Sequence, residues 1–192
     1  MRLFVGIPQA ESAIRELAAV VERLRDVEVA GRSAALRWAA PESWHITLQF
    51  LGNTTTEQLE CLKVKLAEVR AAEFSVQLGE LGCFEGAGVL FADVLVSPHL
   101  AALQKNITAA TSRCGFAAEA RLFHPHITLV RTKSRTQGRE LRALRGSVSS
   151  PPNFTSFVAR EFLLYESHLG TGGSKYEVRM RVPLAPRVAG SA

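Results

Sequence analysis

The sequence predicts a mixed fold of strands and helices built from two half-copies of one unit. Three observations carry this reading. A strand, a helix and a second strand fill the first third of the chain, and the same succession returns in its middle. The closing strand of each set carries a matching tetrad, His45-Ile46-Thr47-Leu48 and His126-Ile127-Thr128-Leu129. Finally, 192 residues with 47% hydrophobic and 21% charged side chains suffice for one full core, or for two small lobes sharing a seam. Two large independent domains do not fit, and the composition excludes a disordered or collagenous chain.

Residues 2–7 (RLFVGI) read as the first strand, ended by Pro8. Residues 11–26 follow with Ile14, Leu17, Val21 and Leu24 at helical spacing and charges on the other face. Residues 35–38 form a short strand, and Pro41-Glu42-Ser43 a turn. Residues 44–51 are an apolar strand stopped by Gly52-Asn53. Thr54, Thr55 and Thr56, followed by Glu57 and Gln58, supply N-cap candidates for a helix marked by Leu59, Leu62, Leu66 and Val69. Strands follow at 74–78 and 89–96, with a Gly-containing turn between them. Ser97-Pro98 opens the next helix as a hydroxyl cap with proline at the first helical position, and Gly115 is its stop. Residues 121–130 are again a strand. A basic stretch over 131–150 holds a short helix near 140–144. The last strands are 157–165 and 176–182, joined by a Gly-rich loop at 170–173. Residues 1–185 are expected to form a single two-lobed domain, with 186–192 as a flexible tail.

Lys and Arg exceed Asp and Glu by 23 to 18, a net charge of +5 that permits an anionic partner without identifying it. Cys61, Cys83 and Cys114 are odd in number, widely spaced and free of any CxxC pattern. This spacing argues against a disulfide framework or zinc and predicts plain thiols. No apolar run reaches the roughly 20 residues of a membrane helix. The N-terminal apolar stretch is too short for a secretory signal, so the expectation is a cytoplasmic protein without a membrane or an obligate protein partner.

Side chains alternate along a strand with a period of two, so His45 shares a face with Thr47, and His126 with Thr128. Strict alternation sends Ile46, Leu48 and Phe50 to the opposite, apolar face. A shuffled chain of this composition would contain about 0.016 such tetrads, so two are not a coincidence. If the halves pack about a pseudo-twofold axis, the tetrads face each other. Three readings follow. The pairs are core residues satisfying one another's hydrogen bonds; or His45, His124 and His126 bind a metal, although no carboxylate or cysteine spacing matches; or they perform acid–base chemistry. For phosphoester cleavage, one neutral imidazole removes a proton from the attacking oxygen while an imidazolium protonates the leaving oxygen, and both forms exist near neutrality. The Thr hydroxyls are placed to donate to non-bridging phosphate oxygens.

These motifs resemble the two-histidine phosphoesterases, and more closely the bacterial and archaeal RNA 2',3'-cyclic phosphodiesterases, also called 2'-5' RNA ligases. The likeness covers RLFVGI, RWAAPESWHITLQFLG, FHPHITLVR and YESHLGTGGSKYEV. The resemblance implies an α+β fold of two pseudo-twofold-related lobes, each an antiparallel sheet backed by helices, with the active site in the cleft between the sheets. It implies that His45 is the proton donor and His126 the acceptor, which the sequence by itself leaves symmetric. It also implies that Thr47, Thr128 and Arg131 bind the phosphate. Alternation puts Arg131 on the face opposite His126, so this last role requires the strand to end or bulge first.

The implied reaction is hydrolysis of a terminal 2',3'-cyclic phosphate on RNA to a 2'-phosphate, without metal or cofactor, and its reverse is 2'-5' ligation. Alternative readings are a phosphodiesterase of a small cyclic phosphate or 2',5'-oligonucleotide, and a non-enzymatic binder of RNA ends. Arg131, Lys133, Arg135, Arg139, Arg142 and Arg145 form either an RNA-backbone patch or a solvated basic loop. Trp44 and Phe123 are candidates to stack a base, with core packing the favoured reading. His168 reads as a loop residue. The chain has no Walker-type phosphate loop, which argues against an ATP-dependent ligase.

Overall fold

A computed structural model describes residues 1–31, 36–132, 138–148, 152–170 and 173–187. The order is β1 (Arg2–Pro8), α1 (Glu11–Gly31), β2 (Leu36–Trp38), β3 (His45–Asn53), α2 (Thr56–Ala67), β4 (Phe74–Val76), β5 (Leu78–Phe84), β6 (Val89–Val94), α3 (Pro98–Ser112), β7 (His126–Thr132), α4 (Gly138–Gly146), β8 (Phe157–Ala159), β9 (Glu161–Gly170) and β10 (Gly173–Pro183). It is an α+β fold with two four-stranded sheets, ordered β10-β9-β1-β3 and β2-β7-β6-β5, and a two-stranded sheet β4-β8. All strand pairs within them are antiparallel.

The repeated unit is visible in the pairing. In the first half β1 and β3 pair across α1, with Pro8 opposite His45; in the second, β6 and β7 pair across α3, with Asp93 opposite His126. Each sheet then borrows from elsewhere in the chain. β2, between α1 and β3 in sequence, joins β7, while β9 and β10 join β1. Apolar side chains alternate onto the helix-backed faces. Leu3, Val5, Ile7, Ile46, Leu90, Ala92 and Ile127 are sealed in one core with Leu17 and Leu24 of α1, Leu62 and Leu66 of α2, and Leu100, Leu103 and Ile107 of α3. Truncating any of the fully buried leucines to Ala costs about 2–5 kcal/mol.

Helix ends follow the local chemistry. Thr55 and Gln58 form a reciprocal capping box on α2, and the Ser97 hydroxyl accepts from the Leu100 N–H at the start of α3. Gly115, at φ +87°, turns the chain out of α3. Among the described residues, no helix is long and apolar enough to cross a membrane.

Several expectations need correction. The strand expected over 74–78 is two strands, β4 and β5, and β5 runs through residues read as a turn. Its glycines hide it: a Cβ at Gly82 would lie 2.5 Å from the Phe91 ring, so that position must stay bare for Phe91 to lie across it. The strand expected over 121–130 starts only at His126, because Pro125 has no N–H to give a ladder. The strand expected over 157–165 breaks between β8 and β9, and His168 lies on β9 rather than in a loop. Of the Gly-rich loop and the tail, residues 171, 172 and 188–192 lie outside the described residues.

The cysteine reading is also overturned. Cys61 of α2 and Cys114, just beyond α3, form a disulfide with Cα atoms 5.8 Å apart, leaving Cys83 free. Their separation of 53 residues hid a closeness that follows from α2 packing on α3. Closing a loop of that length restricts the unfolded chain by about 4 kcal/mol. Reduction, or the double variant Cys61→Ser/Cys114→Ser, is expected to lower the unfolding free energy in urea by about 2–4 kcal/mol. An unchanged midpoint would show that the bond contributes nothing.

Candidate active site

Both histidines open their strands, and each is fixed by the carbonyl two residues earlier. Before His45, a single 3-10 turn at Pro41–Ser43 is tied by Ser43 N–H and Oγ to the Ala40 carbonyl, at 2.8 and 2.7 Å. The Ser43 carbonyl then lies 2.7 Å from His45 Nδ1. In the other half, the His124 carbonyl lies 2.8 Å from His126 Nδ1. A carbonyl only accepts, so Nδ1 carries the hydrogen in both rings and Nε2 is the working atom. The halves thus present the same tautomer by the same device.

The registers also share an irregularity. In β3, Thr47 pairs with Gly6 and Gln49 with Val5, so Leu48 is passed over; in β7, Thr128 pairs with Phe91 and Val130 with Leu90, so Leu129 is passed over. These are β-bulges at equivalent positions, and each reverses the side-chain phase beyond it. Two consecutive residues, Leu48 with Gln49 and Leu129 with Val130, accordingly face inward. The next residue comes round to the histidine's face. In β7 that residue is Arg131, which is exposed and whose charge bears on both imidazoles. In β3 it is Phe50, 61% exposed, where strict alternation had placed it on the apolar face.

β3 packs beside β7, and the charge of His126 also acts on His45. The structure therefore brings His45, His126 and Arg131 within one electrostatic neighbourhood, with Thr47 and Thr128 half-buried on the same strand faces. Among the described residues, neither threonine hydroxyl hydrogen-bonds within the protein, and each Nδ1 bonds a carbonyl. The pairs do not satisfy one another. Nor do the three imidazoles gather as ligands: His124 Nε2 lies 3.0 Å from Asp93 Oδ1. Among the described residues, ligand atoms converge only at Glu166, His168 and Glu177, where Arg179 already lies 3.3 Å from Glu166 and 3.2 Å from Glu177.

Aromatic rings enclose both imidazoles. His45 lies 4.5 Å from Phe4 and 5.0 Å from Tyr176, with Tyr165 stacked on Phe4. His126 lies 5.0 Å from Phe91 and 5.1 Å from Phe84. A bare Gly6 lets β1 press against this strand, since a Cβ there would meet the Ile46 carbonyl oxygen at 2.9 Å. Burial drives the His45 imidazole down to about 4, more than its bond to Ser43 can restore, with the charges of His126 and Arg131 adding to the fall. Burial also lowers His126; there Asp93 works the other way. The Tyr165 phenol is pushed up to about 12 by burial and stays neutral. The site thus combines the positive charge of Arg131 with two neutral imidazoles.

Sequence reading missed this aromatic lining, because Phe4, Phe84 and Phe91 sit in apolar strands without a polar neighbour to betray the face. Trp44, at 5% exposure, and Phe123 pack into the core. In the basic stretch, Lys133 and Arg135 lie outside the described residues, Arg139 is exposed, and Arg142 is bound to Glu85, with Nε 2.8 Å from Oε1.

The family model of the 2'-5' RNA ligase superfamily matches residues 11–169. The RNA 2',3'-cyclic phosphodiesterase of Bacillus subtilis (strain 168) is 30% identical over 146 residues, 73% of this chain and 76% of that protein. The protein of the same name from Escherichia coli (strain K12) is 29% identical over 142 residues, 73% and 75% of the two chains. The crystal structure of E. coli LigT in apo form superposes with a TM-score of 0.71 at 27% identity, over 96% of this chain and 97% of its own. Thermus thermophilus TT0787 shares the fold, with a TM-score of 0.73 at 24% identity over 98% of this chain and 100% of its own. By the extent of the family match and the paired tetrads it spans, this chain belongs to the 2'-5' RNA ligase superfamily.

Proposed function

We propose that this chain is an RNA 2',3'-cyclic phosphodiesterase, opening a terminal cyclic phosphate to a 2'-phosphate by proton transfer between two imidazoles. The observation that carries the reading is the matched pair of Nε2 atoms on neighbouring strands, without a hydrogen-bond partner among the described residues, with the charge of Arg131 bearing on both rings. The names of the relatives point to the same reaction. Residues 1–185 act as one two-lobed catalytic unit. We also propose a cytoplasmic location, where the reducing environment would hold Cys61 and Cys114 largely as thiols.

In this mechanism the phosphate sits between β3 and β7. Thr47 and Thr128 donate their hydroxyls to its non-bridging oxygens, and Arg131 offsets the charge that grows as water adds. His126 Nε2 removes the proton from the attacking water, and the new P–O bond forms. His45 Nε2–H protonates the departing ribose 3'-oxygen as the ring P–O bond breaks. One proton is taken up and one delivered, so the pair ends with its protonation exchanged and resets through solvent. The strained five-membered ring supplies part of the driving force, and no step requires a metal. A ribose 5'-hydroxyl that takes the place of water attacks the same phosphorus, loses its proton to His126 and leaves a 2'-5' linkage as the 3'-oxygen departs, a path disfavoured because two RNA ends must be held in register. His45 is neutral in the free protein near pH 7, so the anionic substrate must draw in its proton. Burial of the ring against Phe4 and Tyr176 then makes that proton easy to surrender.

His45→Ala and His126→Ala should each lower kcat at least about a hundredfold on an RNA ending in 2',3'-cyclic phosphate, while EDTA leaves the wild-type rate unchanged. A sulfur in place of the 3'-oxygen, a leaving group that needs no proton, should rescue His45→Ala and not His126→Ala. The opposite rescue would exchange the two roles, and full activity in either variant would end the mechanism.

The pH dependence follows from the lowered imidazoles. The competent free protein carries one proton on the pair; a second is gained only near pH 4, and the single one is lost as pH rises through the higher of the two values, which lies below 6.5. The profile of kcat/KM should therefore be a bell with its acid limb near pH 4 and an alkaline fall that begins below 6.5. A plateau extending past pH 7 would contradict the assignment.

A further inference from the structure

Arg37 of β2 lies directly opposite Arg131 of β7 in the antiparallel register, while Val89 of β6 flanks Arg131 on the other side. Directly opposed residues share a sheet face, and their Cα atoms are about 4.5–5.5 Å apart. The face is fixed from behind. Trp38, the next residue, donates its indole N–H to Glu28 of α1 at 2.7 Å, carries the Arg25 guanidinium 5.1 Å from its ring, and packs on the core together with Leu36. Arg37, alternating with them, projects from the opposite face, the one bearing Thr128 and His126.

Two guanidinium groups thus stand side by side on the sheet face that bears His126 and Thr128. Like charges directly opposed across strands repel, and natural sheets avoid them or neutralise them. Neither is neutralised here: among the described residues, Arg37 and Arg131 make no ion pair. Their positions differ in one respect. The charge of Arg131 bears on both imidazoles, whereas Arg37, one strand further out at the sheet edge, is not among the charges that do. Arg131 already serves the phosphorus that reacts. A second fork of N–H donors beyond it suits a second anionic group, attached to the first and leading away from it.

We propose that Arg37 binds the internucleotide phosphate one step 5' of the cyclic end, so that the site selects an oligoribonucleotide over a mononucleoside cyclic phosphate. The proposal rests on the phosphodiesterase reading and deepens it by choosing between its substrate classes. A mononucleoside 2',3'-cyclic phosphate has a single phosphate and leaves Arg37 empty. An RNA end fills both forks and relieves the repulsion between them, binding energy that the smaller substrate lacks.

The experiment compares kcat/KM for a trinucleotide ending in 2',3'-cyclic phosphate with that for a mononucleoside 2',3'-cyclic phosphate, in the wild type, Arg37→Gln and Arg37→Lys. Arg37→Gln should lower the trinucleotide value about tenfold, chiefly through KM, and leave the mononucleoside value within about twofold. It should also flatten the salt dependence on the trinucleotide by about one unit of log–log slope, and Arg37→Lys should restore most of it. Equal losses on both substrates, or none on either, would overturn the clamp. If the wild type turns over neither substrate, the phosphodiesterase reading fails by itself. The clamp is then judged by fluorescence anisotropy with a 3'-phosphorylated trinucleotide, where identical affinity and salt slope in wild type and Arg37→Gln would overturn it.

Discussion

A strand shows alternate residues to one side, and the proposed phosphate cradle, which needs a histidine, a threonine two residues on and a cation three beyond that, violates the alternation. The bulges at Leu48 and Leu129 resolve the conflict. Each lets two neighbouring residues turn into the core and returns the following one to the cleft. Without the bulge at Leu129, Arg131 would point toward the helices, where an unpaired guanidinium is untenable. The duplicated halves use this freed position differently, one for a guanidinium and the other for the ring of Phe50.

The two imidazoles are alike in tautomer and unlike in surroundings. Both hold Nδ1–H against a carbonyl, but Ser43 is fixed by a tight turn, whereas the ring of His124 is held by Asp93. His45 is wrapped by Phe4 and Tyr176 and strongly resists a charge; His126 has a carboxylate close enough to oppose the effect of burial. A symmetric repeat has thereby been made electrostatically asymmetric, an arrangement that suits the proposed exchange of one proton for another. The difference comes from residues outside the tetrads.

Much of this was legible in the sequence. The tetrads, the strand–helix–strand repeat, the capping box at Thr55 and the Ser97-Pro98 helix start all depend on short-range pattern, and short-range pattern survives in a single sequence. What stayed hidden depends on partners far along the chain. β5 was masked by Gly79 and Gly82, whose lack of side chains makes sense only once the Phe91 ring is seen lying across Gly82. The face of Phe50 depended on a bulge set by the register with β1. The pairing of Cys61 with Cys114 depended on two helices from different halves meeting. Arg37 was one charge among many until its strand was seen to sit beside β7.

The placement of β2, β9 and β10 has a further consequence. Because a strand encoded in the N-terminal half closes the C-terminal half's sheet, and the last two strands close the first, the lobes are interlocked rather than merely abutted. Neither can be excised as a working miniature, despite the ancestral look of the duplication. The backbone that carries the two imidazoles is therefore held in place by strands drawn from both halves of the chain.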